Sequence, residues 1–112
     1  MTKQSKTYTH FLSDEDRITV RQVKDGNTIL EFFVRYEALI DSRWRKITSY
    51  DNAHGYPHRH VYYPHRSEYI HAMNTINNNV AFTEAQIVIK KNFIRMKESY
   101  ILSIRKEGGG EL

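Results

Sequence analysis

His54, His58, His60 and His65 bring four of the chain's six histidines into one Gly- and Pro-containing stretch, SYDNAHGYPHRHVYYPHR. Imidazole is the side chain whose ordinary charge change lies near neutral pH, and it is also a common metal ligand. Three readings of the stretch therefore compete. A metal cage would use His54, His58 and His60, spaced H-x3-H-x-H, with Asp51, His65 and Glu68 as further donors; zinc accepts such nitrogen and oxygen sets. No HExxH is present, and no established zinc spacing is reproduced. Metal-free phosphodiester cleavage would need one imidazole to take a 2′-hydroxyl proton, a second to protonate the leaving oxygen, and a cation to steady the phosphorane. The third reading is a polar loop in which Asp51 and Asn52 cap a turn, Gly55 supplies an unusual backbone angle and the imidazoles bond carbonyls.

The metal-free pair is the preferred expectation. Residues two apart on a strand share a face, so His58 and His60 come together with no assumption about the loop. Gly55 and Pro57 separate His54 from that strand, leaving it in reserve, and Asp51 would orient an imidazole. No metal or other cofactor is then expected, and the enzyme, if it is one, is a metal-independent endoribonuclease. A histidine-triad hydrolase is disfavoured because Tyr62 stands where a third alternating histidine would fall.

Cations and aromatics interleave around the histidines. Arg43, Arg45, Lys46, Arg59 and Arg66 alternate with Trp44, Tyr50, Tyr56, Tyr62 and Tyr63. Arg43, Arg45, Arg59 and Arg66 suit phosphates, and the faces of Tyr50, Tyr56 and Tyr62 suit unstacked bases, so single-stranded RNA is the expected nucleic-acid partner. A formal charge of +4 and a pI near 9.4 are compatible with such an anion. A sheet with an arginine-bearing wet face and an aromatic buried face would give the same composition.

The segment YDNAHGYPHRH, following a short run of strand-like alternation, resembles the YDN…H-x-H signature of TumE-like toxin components of prokaryotic toxin–antitoxin modules. The resemblance spans roughly residues 28 to 63 and rests on Tyr50, Asp51, Asn52, His58 and His60. It implies a toxin that acts on RNA and is neutralised by a DNA-binding antitoxin.

The elements that must carry these residues are legible in the hydrophobic periodicity. RITVRQV sets Ile18 and Val20 against Arg17, Thr19 and Arg21; Asp25-Gly26 signals a hairpin. TILEFFVRYEALI places Leu30, Phe32, Val34, Tyr36, Ala38 and Ile40 on one face, with Glu31, Arg35 and Glu37 on the other. RWRKITSY reads as a third strand, and HRHVYYP as a short fourth one at an edge, bracketed by Pro57 and Pro64. NTINNN reads as loop. A capping box at Thr83 and Gln86 opens a long helix whose stripe is Ala85, Ile89, Phe93, Met96, Tyr100 and Ile104, and Gly108 to Gly110 stop it. The fold expected is α+β: a three- to four-stranded antiparallel meander packed against a long C-terminal helix.

The 112 residues fit one domain, 1–112, with 1–8 and 108–112 expected to be flexible. Hydrophobic residues at 39% and charged residues at 27% describe a globular chain, and the lack of cysteine fits a reducing compartment. No leader or membrane-length apolar run is read, so a cytoplasmic location is expected. Ile87, Ile94 and Ile101 recur at spacing seven on a second helix face. A second copy of the chain or an antitoxin segment is expected to cover them. That face also carries the rival reading, a non-catalytic module that binds a protein partner.

Overall fold

The alternation around Val20 and Val34 becomes two strands of one six-stranded antiparallel sheet in the computed structural model, which describes the backbone of residues 3–108. Its strands are β1 (Lys3–Ser13), β2 (Asp16–Asp25), β3 (Thr28–Ile40), β4 (Arg43–Asp51), β5 (His58–Val61) and β6 (Tyr69–Ala72). They lie in sequence order across the sheet, each beside the strand before it. A single helix, α1 (Asn78–Gly108), crosses one face, mainly over β3 and β4. The architecture is α+β, as the periodicity predicts, with more strands than the three or four expected.

The two additional strands are the outer ones. β1 covers residues expected to be flexible, and β6 follows a stretch with no strand signal. Along β1 only Tyr8 and Leu12 pack against the core, and all four residues of β6 are exposed. An outer strand with little to bury carries no period-two pattern, so nothing in its composition announces it. With β6 outside it, β5 is internal rather than an edge strand; Pro57 and Pro64 lie just beyond its ends, where their missing N–H groups cost no ladder bond. Residues 109–112 of the expected flexible tail, and residues 1–2, lie outside the described residues.

Turn chemistry sets the register. Asp25 pairs with Thr28, so Gly26 and Asn27 make the β2–β3 hairpin turn, and Gly26 has a φ of 61°. A positive φ at the first central position is where glycine is favoured. The β3–β4 turn uses Asp41 and Ser42, both with positive φ (53° and 65°), the pattern of a type I′ turn. The β2–β3 ladder slips beside Val23 and Lys24, leaving Leu30 as the extra residue. Leu30, expected in the core, is 37% exposed for that reason, and Ile29 takes the inward position.

Ile18, Val20, Phe32, Val34, Tyr36 and Ala38 face α1 and meet Ala81, Phe82, Ala85, Ile89 and Tyr100. The predicted helical stripe is the one that packs; Phe93, Met96 and Ile104 complete it at the margin. Beneath the helix Asp16 accepts hydrogen bonds from Tyr36, from Ser13 at 2.6 Å and from Lys97 at 3.2 Å. Of the second line of isoleucines, Ile87 is 47% and Ile94 60% exposed, while Ile101 is half-buried. No helix among the described residues is long and apolar enough to cross a membrane.

α1 starts five residues before Thr83. Asn77 caps it, its Oδ1 accepting from Val80 N at 3.1 Å and its carbonyl from Ala81 N at 2.9 Å. The run read as loop supplies the cap because asparagine is as good an N-cap as serine or aspartate. Asn77→Ala is expected to lower stability by about 1 kcal/mol, whereas Thr83→Ala should change it by under ~0.5 kcal/mol. Urea denaturation of the two variants checks the pair; equal or reversed effects would contradict this helix start.

Candidate metal centre

Strand register, more than the histidine spacing, assembles the site. Asp51 stands directly opposite His58, and Ser49 opposite His60, on the β4–β5 ladder. Partners across an antiparallel pair share a face, so Asp51, Ser49, His58 and His60 all lie on the sheet face opposite α1. Asn52 holds the turn between the two strands. Its Oδ1 accepts from Phe32 N at 3.1 Å and its Nδ2 donates to the Leu30 carbonyl at 3.0 Å, tying the end of β4 to the bulged part of β3. Gly55 completes the turn with a φ of 90°, a conformation that an L side chain strains to adopt.

Both imidazoles turn Nε2 toward one carboxylate. His58 Nε2 lies 3.0 Å from Asp51 Oδ1, and His60 Nε2 lies 2.9 Å from Asp51 Oδ2. One ligand atom from each of the three residues falls within 4.8 Å of the others. Each ring is held from behind. His58 Nδ1 is 3.0 Å from the Tyr56 carbonyl, and His60 Nδ1 is 2.8 Å from Glu68 Oε2. Ala53 N donates to Asp51 Oδ1 at 3.0 Å, steadying the carboxylate.

Proton bookkeeping then decides what this cluster can be. The Tyr56 carbonyl and the Glu68 carboxylate only accept, so each Nδ1 carries a proton. Each Nε2 turns to a carboxylate oxygen, where a singly protonated ring would offer a lone pair. The His58 ring is fully buried, and its Nε2 has no hydrogen-bond partner: Asp51 Oδ1 is near but out of line. A buried unpartnered polar atom costs about 1–3 kcal/mol. Convergent Nε2 atoms with their Nδ1 protons fixed by acceptors are the arrangement that metal-binding histidines use. Bonds of about 2.1 Å at right angles would set a nitrogen about 3.0 Å from a carboxylate oxygen, as each Nε2 is from its own Asp51 oxygen.

The other predicted site residues divide between the two faces. His54 stacks on His58, with ring centroids 5.0 Å apart, and stays outside the donor group. Tyr56 tilts against His58 at 5.5 Å and gives it a carbonyl. Tyr62 stacks parallel to His60 at 6.1 Å, and its hydroxyl lies 2.9 Å from Ser49 Oγ. Burial pushes the Tyr62 phenol up, partly offset by the Ser49 hydrogen bond. Tyr50 and Arg59 are in register with each other on the α1 side: Tyr50 is in the core and Arg59 lies over it. Burial also raises the Tyr50 phenol. Alternation along β5 thus separates Arg59 from the histidines on either side of it. Arg43 and Arg45 stand at the start of β4 while Asp51 is at its end, and Arg66 packs on Tyr63 beyond β5. Across the ladder Arg43 and Arg45 stand opposite Ile40 and Ala38, so register puts them with Arg59 on the α1 face, away from the histidines.

Two cations not among the expected phosphate contacts lie nearer. Arg35 is in register with Ser49 on the open face, and Lys46 Nζ sits 4.8 Å from the centroid of Tyr62. Arg35 Nε is buried without a hydrogen-bond partner. Arg35 was read only as a wet-face residue of its strand; its place beside the histidines depends on β3–β4 register, which a single sequence does not display.

No curated protein and no solved structure matches the chain. A family model described as "Domain of unknown function (DUF7718)" matches residues 1–105, nearly the whole chain, and the protein belongs to that family.

Proposed function

We propose that the protein binds one divalent cation through Asp51, His58 and His60 and uses it in hydrolysis of phosphodiester bonds in single-stranded RNA. The observation that carries the metal is the buried, unpartnered His58 Nε2, aimed with His60 Nε2 at one carboxylate. Two imidazoles and a carboxylate form a donor set that suits zinc, manganese or iron(II). A cation so held would polarise a phosphoryl oxygen. Arg35 and Lys46, on the same face, would hold the flanking charge, and Phe33 and Tyr62 offer surfaces for bases. This reverses the ranking that spacing suggests. A fully buried His58 cannot reach a substrate proton, so a metal-free acid–base pair lacks one of its members.

All three proposed ligands belong to the segment that resembles TumE-like toxins. Tyr50 and Asn52 of the same segment have structural work, one in the core and one tying β4 to β3. An RNA-directed toxin is consistent with the proposed chemistry, and growth arrest on expression would be its readout.

Protein prepared without a histidine tag should take up one equivalent of zinc or manganese in equilibrium dialysis. Asp51→Asn or His60→Gln should weaken uptake at least ~100-fold, and Glu68→Gln, which acts through His60, about 10- to 100-fold. Cleavage of a single-stranded RNA should require the ion, and Lys46→Ala should make RNA binding less salt-dependent while Arg43→Ala leaves it unchanged. Failure to bind any divalent ion would overturn the metal site. Binding without RNA cleavage would leave the site and remove the substrate.

A further inference from the structure

α1 lies over β3 and β4, and the part of the same sheet face formed by β5 is left beneath an overhang. The result is a cavity of about 430 Å³ between the helix and the sheet, on the side opposite the histidines. This volume is in the range of small-molecule sites. Its apolar wall includes Ile47, Val61, Val88 and Met96, and its polar lining includes Arg59 and Arg95, with no carboxylate among the lining residues.

The two arginines are what distinguish this cavity from a packing gap. Arg59 Nε donates to Thr48 Oγ1 at 3.3 Å, and its guanidinium lies 5.9 Å from the centroid of Tyr50. Those contacts fix the base of the guanidinium. Neither Arg59 nor Arg95 is paired with a carboxylate among the described residues. Arg59 is half-buried in the hollow and Arg95 stands exposed at its rim. Two guanidinium groups without counter-ions at one apolar hollow are complementary to an anion that brings an apolar body with it.

We infer that this cavity binds a small organic carboxylate, its apolar part against Val61, Val88 and Met96 and its carboxylate between Arg59 and Arg95. The planar guanidinium fork matches a carboxylate in two parallel hydrogen bonds, which lysine at either position would not supply. This site shares no residue with the proposed cation site: it uses the other face of the sheet and none of the three ligands.

Calorimetric titration with 4-phenylbutyrate and with its neutral amide tests the inference directly. The carboxylate should bind at submillimolar concentration, and the amide at least ~10-fold more weakly. Arg95→Gln and, separately, Arg59→Gln should each reduce carboxylate affinity about 10-fold while leaving the amide unchanged, with circular dichroism and thermal melting confirming the fold. Val88→Trp, which fills the apolar wall from the helix side, should abolish binding of both probes. Equal affinity for the two probes, no carboxylate binding at millimolar concentration, or indifference to both arginine variants would overturn it. So would a dimer in sedimentation that Val88→Trp dissociates and the carboxylate does not, since the cavity would then belong to a second copy.

Discussion

Asp16→Ala is expected to lower stability by about 3–5 kcal/mol, the range for removing one partner of a buried charge pair. Asp16 is 3% exposed and collects Ser13, Tyr36 and Lys97 beneath α1. Its loss leaves the Lys97 ammonium, whose side chain is only 19% exposed, without its partner, while the Tyr36 hydroxyl keeps the Phe93 carbonyl at 3.2 Å. Asp16→Asn keeps an acceptor and should cost less. Urea unfolding at neutral pH compares the two; a loss below ~1 kcal/mol for the alanine variant would show the network to be dispensable.

The same carboxylate gives the fold an acid limit. Burial alone would raise its pKa, but hydrogen bonds from Ser13, Tyr36 and Lys97, with the lysine charge, bring it below the ordinary 3.8. A folded pKa below the unfolded one means stability that is complete above the unfolded value and is lost as pH falls through the folded one. Unfolding free energy should therefore decline in acid below about pH 4, with a shallower decline in Asp16→Asn. Tyr36 works in the opposite sense. Burial, then the hydrogen bond to Asp16 and its charge, raises the phenol far above its usual range. Its contribution is present below the ordinary tyrosine pKa and lost only in strong alkali.

A second large effect is expected from the proposed cation. Binding to the folded state alone at 100 times Kd would add about 2.7 kcal/mol, a rise in Tm of roughly 10 °C or more for a domain of this size. The rise should vanish in His58→Gln and in excess chelator. Calorimetry with and without zinc or manganese reads it, and an unchanged Tm at saturating metal in the wild-type chain would count against the site.

Periodicity made the centre of the fold legible. Strands β2 and β3 alternate because one face is covered and one is wet, and the helical stripe from Ala85 to Tyr100 repeats because it meets that covered face. Residues that bury little left no such mark, which is why β1 and β6 were not anticipated. At the site, residue type and spacing group His58, His60 and Asp51, and the structure brings the three side chains together. Their relation to one another was not legible, because it depends on Asp51 pairing with His58 across a turn and on Tyr56 and Glu68 fixing the rings. Arg59 follows from the strand assignment itself: a residue between two neighbours on one face points to the other.

That alternation has a consequence for the two proposed sites. β5 has only four residues, with the histidines toward one face and Arg59 toward the other. A cation gripping His58 and His60 would damp the motion of the same backbone that presents Arg59, so an anion arriving beneath α1 would meet a more ordered strand. Reciprocity then requires that the anion sharpen affinity for the cation by the same factor. Slower amide exchange at Arg59 on adding metal would be the sign of such coupling, carried by one short strand with no movement of the surrounding domain.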